Sequence, residues 1–209
     1  DVAIVGRLGD AAFLGGVAVG SLLFNYIYWG LGFVKMGTTG LTAHAFGAAT
    51  AAGGSADAAE RAKARLLVIL ARAVVMAVVF GAVVVLASGG MLRLLFSAIT
   101  TTDEIQRLAS DYFTARVLGA PAALCNLAAM GWLLGVQEPR SCLFINVVIN
   151  TTNIVLDYLL ALHLGWGIRG VAFATALAQF AGAAASVLAV GRLLRQERFV
   201  GTTVQNTRA

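Results

Sequence analysis

Five long apolar runs decide what this chain can fold into. They are Ala11–Val34, Ala73–Leu92, Val117–Val136, Ser141–Leu162 and Gly170–Gly191, and the only charge inside them is Asp157. Each is close to the roughly 20 residues a helix needs to cross about 30 Å of hydrocarbon. In lipid the backbone must satisfy its own hydrogen bonds, and runs this long without turn signals do not suit barrel strands. The expected fold is therefore all-α, a polytopic membrane helix bundle. Composition agrees: 59% of residues are hydrophobic and 12% charged, against roughly 25% charged in soluble domains.

The connections carry the orientation. Arg61, Lys63 and Arg65 precede the second run, Arg140 precedes the fourth, and Arg192, Arg195 and Arg198 follow the fifth. These connections fall on one side. Arg7, Arg93, Arg107 and Arg169 fall on the other, diluted by Asp10, Asp103 and Glu104. Basic residues favour the cytoplasmic side, so the first set and the C-terminal end are expected there. The net charge of +5 is thus topological and implies no nucleic-acid partner. Asp1–Val5 reads as the tail of a further helix, and the end of the chain is polar.

One run carries a polar stripe. In INVVINTTNIVLDYLL, Asn146, Asn150, Asn153 and Asp157 recur at steps of four, three and four, which places them on one helix face. A carboxylate in the body of a span costs about 2.5–3.5 kcal/mol on insertion scales. Asp157 is therefore expected to face protein or a water-filled cavity. A carboxyl group there can carry a proton, or join the amide oxygens of Asn153 and Asn150 around a small hard cation such as Na⁺. Alternatively it holds helices together. Thr175, early in the next run, is expected at a matching depth. Asn25, Tyr26 and Tyr28 in the first run, and Asn126 in the third, line a cavity or bond between helices.

Other features suggest packing. Gly16/Gly20 and Gly131/Gly135 are four apart, and Gly170, Ala174, Ala178, Gly182 and Ser186 form a small-residue stripe, both of which let helices approach closely. Pro121 should kink the third run near Val117. Lys35 is expected near the cytoplasmic end of its helix, and Arg116 at the outer edge of its span. Cys125 and Cys142 lack metal-ligand or CxxC spacing and read as buried thiols. No zinc-protease, phosphate-loop or nucleophile-elbow motif supports a soluble-type enzyme.

Four separated segments carry a family resemblance: DVAIVGRLGDAAFLGGVAVG; KMGTTGLTAHAFG; YFTARVLGAPAAL with GWLLGVQEPR; and NTTNIVLDYLLALHLGWGIRGVAFATALAQF. In order and spacing they resemble the multidrug and toxic compound extrusion (MATE) family, most of all its DinF-like branch. The resemblance implies twelve helices in two six-helix lobes around a central cavity. It also implies export of drug-like, often cationic compounds in exchange for H⁺ or Na⁺, by alternating access, with no cofactor. Residues 1–195 correspond to the N-terminal lobe with helix 1 incomplete, and 196–209 to a polar cytoplasmic tail or inter-lobe linker. The C-terminal lobe is the missing partner.

Asp1 matches the family's helix 1 acid, Asn153 and Asp157 its helix 5 pair, and Thr175 its helix 6 threonine. Together these imply a proton- or cation-binding site, with Na⁺ as the metal ion that Asp157 and Asn153 would take. Asn25, Asn126, Asn146 and Asn150 are weaker candidates for the substrate cavity. The implied location is the bacterial inner membrane. The rival expectations are a non-transporting module whose stripe only packs helices, and a half-size unit that pairs with itself.

Overall fold

The computed structural model describes residues 11–51 and 56–195. The helices are α1 (Ala11–Gly30), α2 (Phe33–Ala51), α3 (Ala56–Ala98), α4 (Asp103–Val117), α5 (Ala120–Gly135), α6 (Pro139–Asp157) and α7 (Gly167–Arg195). A π-helical turn, Tyr158–His163, continues α6. By length and composition, α1 with α2, α3, α6 with its π turn, and α7 can each cross a membrane. The α4–α5 pair, bent by 54°, supplies a fifth crossing if taken as one span. The all-helical expectation holds.

Local sequence explains the breaks. Thr102 caps α4 by accepting from the Ile105 amide at 3.4 Å, and Asp103 and Glu104 occupy its first turn, where a negative charge suits the helix dipole. The bend falls at Leu118–Gly119, two residues before Pro121, whose ring cannot sit in a continuous helix. Pro139 opens α6, where its missing N–H costs nothing. Gly165 and Gly167 turn the chain into α7 with φ of +68° and +55°, a region that strains other residues.

The first apolar run ends differently from expectation. The helix breaks at Leu31–Gly32, and α2 then runs on to Ala51. Its Gly, Ala and Thr residues look like a connection by hydropathy alone, yet they pack. A Cβ at Gly131 would stand 2.6 Å from the Lys35 carbonyl oxygen, and one at Gly135 2.5 Å from Thr42 Cβ. Lys35 is therefore in the first turn of α2, half-buried, inside the combined α1–α2 span rather than near its end. Gly16 and Gly20 seat α1 on α4 in the same way, against Leu108 and Tyr112.

At 43 residues, α3 is about 64 Å long, so it projects well beyond a bilayer. Its charged end is tied to the end of α7: Lys63 Nζ donates to the Leu194 carbonyl at 2.7 Å. At the other end of the bundle, Arg169 on α7 pairs with Asp111 on α4 at 2.8 Å. Between them lie clusters around Trp132 and Ile145, around Tyr112 and Val171, around Phe24 and Phe113, and around Val34 and Leu124. Large apolar side chains also point outward. Leu86 is 85% exposed and Val187 72%, which suits a lipid-facing surface.

Arg116 is the other departure. It is not at the edge of a span but in the last turn of α4, inside the bent span and beside α1. Its guanidinium lies 4.7 Å from the centroid of the Phe24 ring and 5.4 Å from that of Tyr112. Nη1 donates to Tyr112 Oη at 2.5 Å and to Ser21 Oγ at 3.4 Å. Aromatic faces and hydroxyls hold the cation within the lobe.

Candidate functional site

Helix α6 packs along α7, and the polar stripe changes character along its length. Asn146 and Asn150 are exposed, and their amides donate back to carbonyls four residues earlier, Cys142 at 3.1 Å and Asn146 at 2.8 Å. Asn153 is half-buried and reaches across to α7, its Nδ2 donating to Thr175 Oγ1 at 3.3 Å. Thr175 in turn donates to the Val171 carbonyl at 3.0 Å. Asp157 is 1% exposed. The stripe thus sinks into the lobe as it approaches the acid, and three of the expected site residues, Asn153, Asp157 and Thr175, meet there. Asp1 lies outside the described residues.

The remaining candidates are separate. Asn25 is exposed on α1 and shares a shallow open recess with Tyr26 and Trp29. Asn126 is buried on α5 and clasps α7. Its Nδ2 donates to the Gln179 carbonyl at 2.9 Å and to Gln179 Oε1 at 3.0 Å, while its Oδ1 accepts from Ser186 at 3.2 Å. Gly182 makes room for that clasp, since a Cβ there would stand 2.8 Å from Asn126 Nδ2. The Cys142 thiol is buried and donates to the Met130 carbonyl at 3.5 Å, and Cys125 is half-buried.

One feature of the site had no clear sequence signal. Immediately after Asp157 the helix widens into the π turn, with the Leu164 amide bonded to the Leu159 carbonyl at 2.9 Å. Such turns cluster at functional sites. Beside the turn lie an acid, an amide and a hydroxyl.

The MatE family model matches residues 1–159. This chain belongs to the MATE family. Members of that family are transporters, not enzymes, and the chain is a multi-pass membrane protein. It is similar to the DNA damage-inducible protein F of Escherichia coli K12, with 35% identity over 93% of the chain and 40% of that protein. It is also similar to the chloroplastic Protein DETOXIFICATION 44 of Arabidopsis thaliana, with 29% identity over 86% of the chain and 34% of that protein. Among solved structures it matches an outward-facing multidrug resistance MATE transporter of the MOP superfamily. The TM-score is 0.75 and the identity 21%, over 98% of this chain and 42% of that one. The chain spans about 40% of the length of the first of these relatives, consistent with part of a MATE transporter.

Proposed function

We propose that this chain is the ion-coupling lobe of a secondary active antiporter. In this reading the whole transporter exports drug-like, often cationic compounds in exchange for H⁺ or Na⁺. The observation that carries the reading is the burial of Asp157 one helical turn from the Asn153–Thr175 pair. An intramembrane acid beside an amide and a hydroxyl is suited to take up and release a proton or a small cation. Uptake neutralises buried charge, which shifts the balance between lobe conformations and hence the side to which the cavity opens. Asp1 completes the site in this reading, and Asn25, Asn146 and Asn150 border the space shared with the second lobe. The basic residues at the ends of α3, α6 and α7 support a cytoplasmic location for that side of a bacterial inner-membrane protein.

The test is Asp157→Asn in the full-length polypeptide, reconstituted in vesicles with an imposed H⁺ or Na⁺ gradient. Gradient-driven efflux of a cationic dye is expected to disappear while expression is retained. Normal efflux by the variant removes Asp157 from the coupling site. A second reading treats the stripe as structural only, and the Asn153–Thr175 bond between helices favours it. Under that reading Asp157→Asn lowers thermal stability in detergent, and a pH-dependent fluorescence change of Trp29, Trp132 and Trp166 is unaffected by it. Loss of that pH response in a stable variant supports coupling.

A further inference from the structure

A groove of about 410 Å³ lies between α2 and α3, away from Asp157. Phe33, Val34 and Leu41 form one wall and Val68 and Met76 the other. The remaining lining includes three groups that an apolar groove does not require: His44, Arg65 and Arg72. No Asp or Glu lines it. Among the described residues, neither Arg65 nor Arg72 has a hydrogen bond or an ion pair. Both are exposed, as is His44.

The two arginines sit seven residues apart, two turns of α3 and about 10 Å along its axis, on the same face. Arg65 is next to Leu66, whose carbonyl accepts from Trp132 Nε1 at 2.9 Å. Trp132 is three residues from the end of α5, so Arg65 lies near the level at which that helix ends. Arg72 is two turns deeper, next to Ala73, which clusters with Leu124 and Val34. An arginine at that depth is unfavourable unless its side chain reaches the interface or meets an anion.

We infer that this groove binds an anionic phospholipid of the leaflet on the Arg65 side. The headgroup phosphate lies between the Arg65 and Arg72 guanidinium groups. One acyl chain runs along the Val68–Met76 wall toward Phe33. Charge complementarity selects this occupant: two unpaired cations border a groove whose other lining is largely apolar, with no acidic residue. A zwitterionic lipid offers the same chain but carries its own ammonium near the phosphate. Basic pockets at the membrane interface that face anionic headgroups are an established mode of lipid recognition. The site stands on the membrane location of the bundle and is independent of the ion-coupling role of Asp157.

The test uses the full-length polypeptide in nanodiscs of phosphatidylcholine mixed with phosphatidylglycerol of identical acyl chains. Lipids that remain bound after extraction are counted by native mass spectrometry. Retention of one phosphatidylglycerol is expected, and Arg65→Gln/Arg72→Gln should weaken it about 25-fold, roughly fivefold for each charge lost near the headgroup. Arg65→Lys/Arg72→Lys should keep most of the preference. Phosphatidylglycerol with a photoreactive group in its tail should label the wild-type peptide containing Val68 and Met76, a readout that needs no variant. Three results overturn the inference: no preference in the wild type, an undiminished preference in the double glutamine variant, or no tail labelling because another part of the polypeptide covers the groove.

Discussion

The Asn153 side chain on α6 donates to Thr175 Oγ1 on α7, and the Thr175 hydroxyl in turn donates to the Val171 carbonyl. The relay orders two side chains one turn from Asp157. It also fixes what each can offer to an ion: the amide oxygen of Asn153 remains available, while the hydroxyl hydrogen of Thr175 is engaged.

Thr175→Val removes the acceptor for the Asn153 amide at nearly constant volume. The expected loss of stability is about 1 kcal/mol, with a larger fractional loss of gradient-driven efflux. Thr175→Ser should retain both. Thermal unfolding in detergent and dye efflux from vesicles separate the two effects. Equal efflux in all three proteins would remove the relay from the coupling machinery.

Asn126 has a different task. It is held by half-buried Gln179 and buried Ser186, and Asn126→Ala leaves those partners to find others. The expected cost is about 1–3 kcal/mol, read as a lower unfolding temperature. Ser186→Ala should cost less, because one of three bonds is lost.

For Arg116 the comparison is with lysine. Arg116→Lys keeps the charge but loses the planar contact over Phe24 and Tyr112. Arg116→Met keeps much of the length and loses the charge as well. Both should unfold at lower temperature than the wild type. An unchanged unfolding temperature in both would mean that the aromatic cluster holds its shape without the cation.

A pair of glycines on α3 makes an internal control. A side chain at Gly81 collides with the backbone of Pro121, whereas one at Gly89 meets nothing within 4 Å. Gly81→Val should prevent folding or destabilise the lobe severely. Gly89→Ala should raise helix stability by about 0.5–1 kcal/mol. Protease resistance of the purified protein reads both.

Much of this was legible in the sequence because hydropathy, period and proline act locally. The apolar runs mark the crossings, Pro121 marks the bend, and the spacing of Asn146 to Asp157 marks one face. The parts that were not legible depend on partners far along the chain. Arg116 looked like the boundary of a span because a charge normally ends one, and its aromatic support from Phe24 is remote in sequence. Asn126 meets Gln179 and Ser186 across 53 and 60 residues. Helix α2 was hidden because small residues and threonines lower hydropathy while allowing close packing. The π turn has no composition of its own; Tyr158–His163 reads as an ordinary apolar segment.

The elbow between α4 and α5 is hemmed in on two flanks. Pro121 rests against the backbone at Gly81, and a Cβ at Gly119 would stand 2.7 Å from Ala176 Cα. A joint needs clearance, and this one has none: swinging it would drive one main chain into another on either side. It acts as a brace, not a pivot. More room lies at Leu31–Gly32, where neighbouring Gly30 meets nothing within 4 Å. The lobe is thus stiff along its middle, and its looser break lies in the helix pair that bears Asn25.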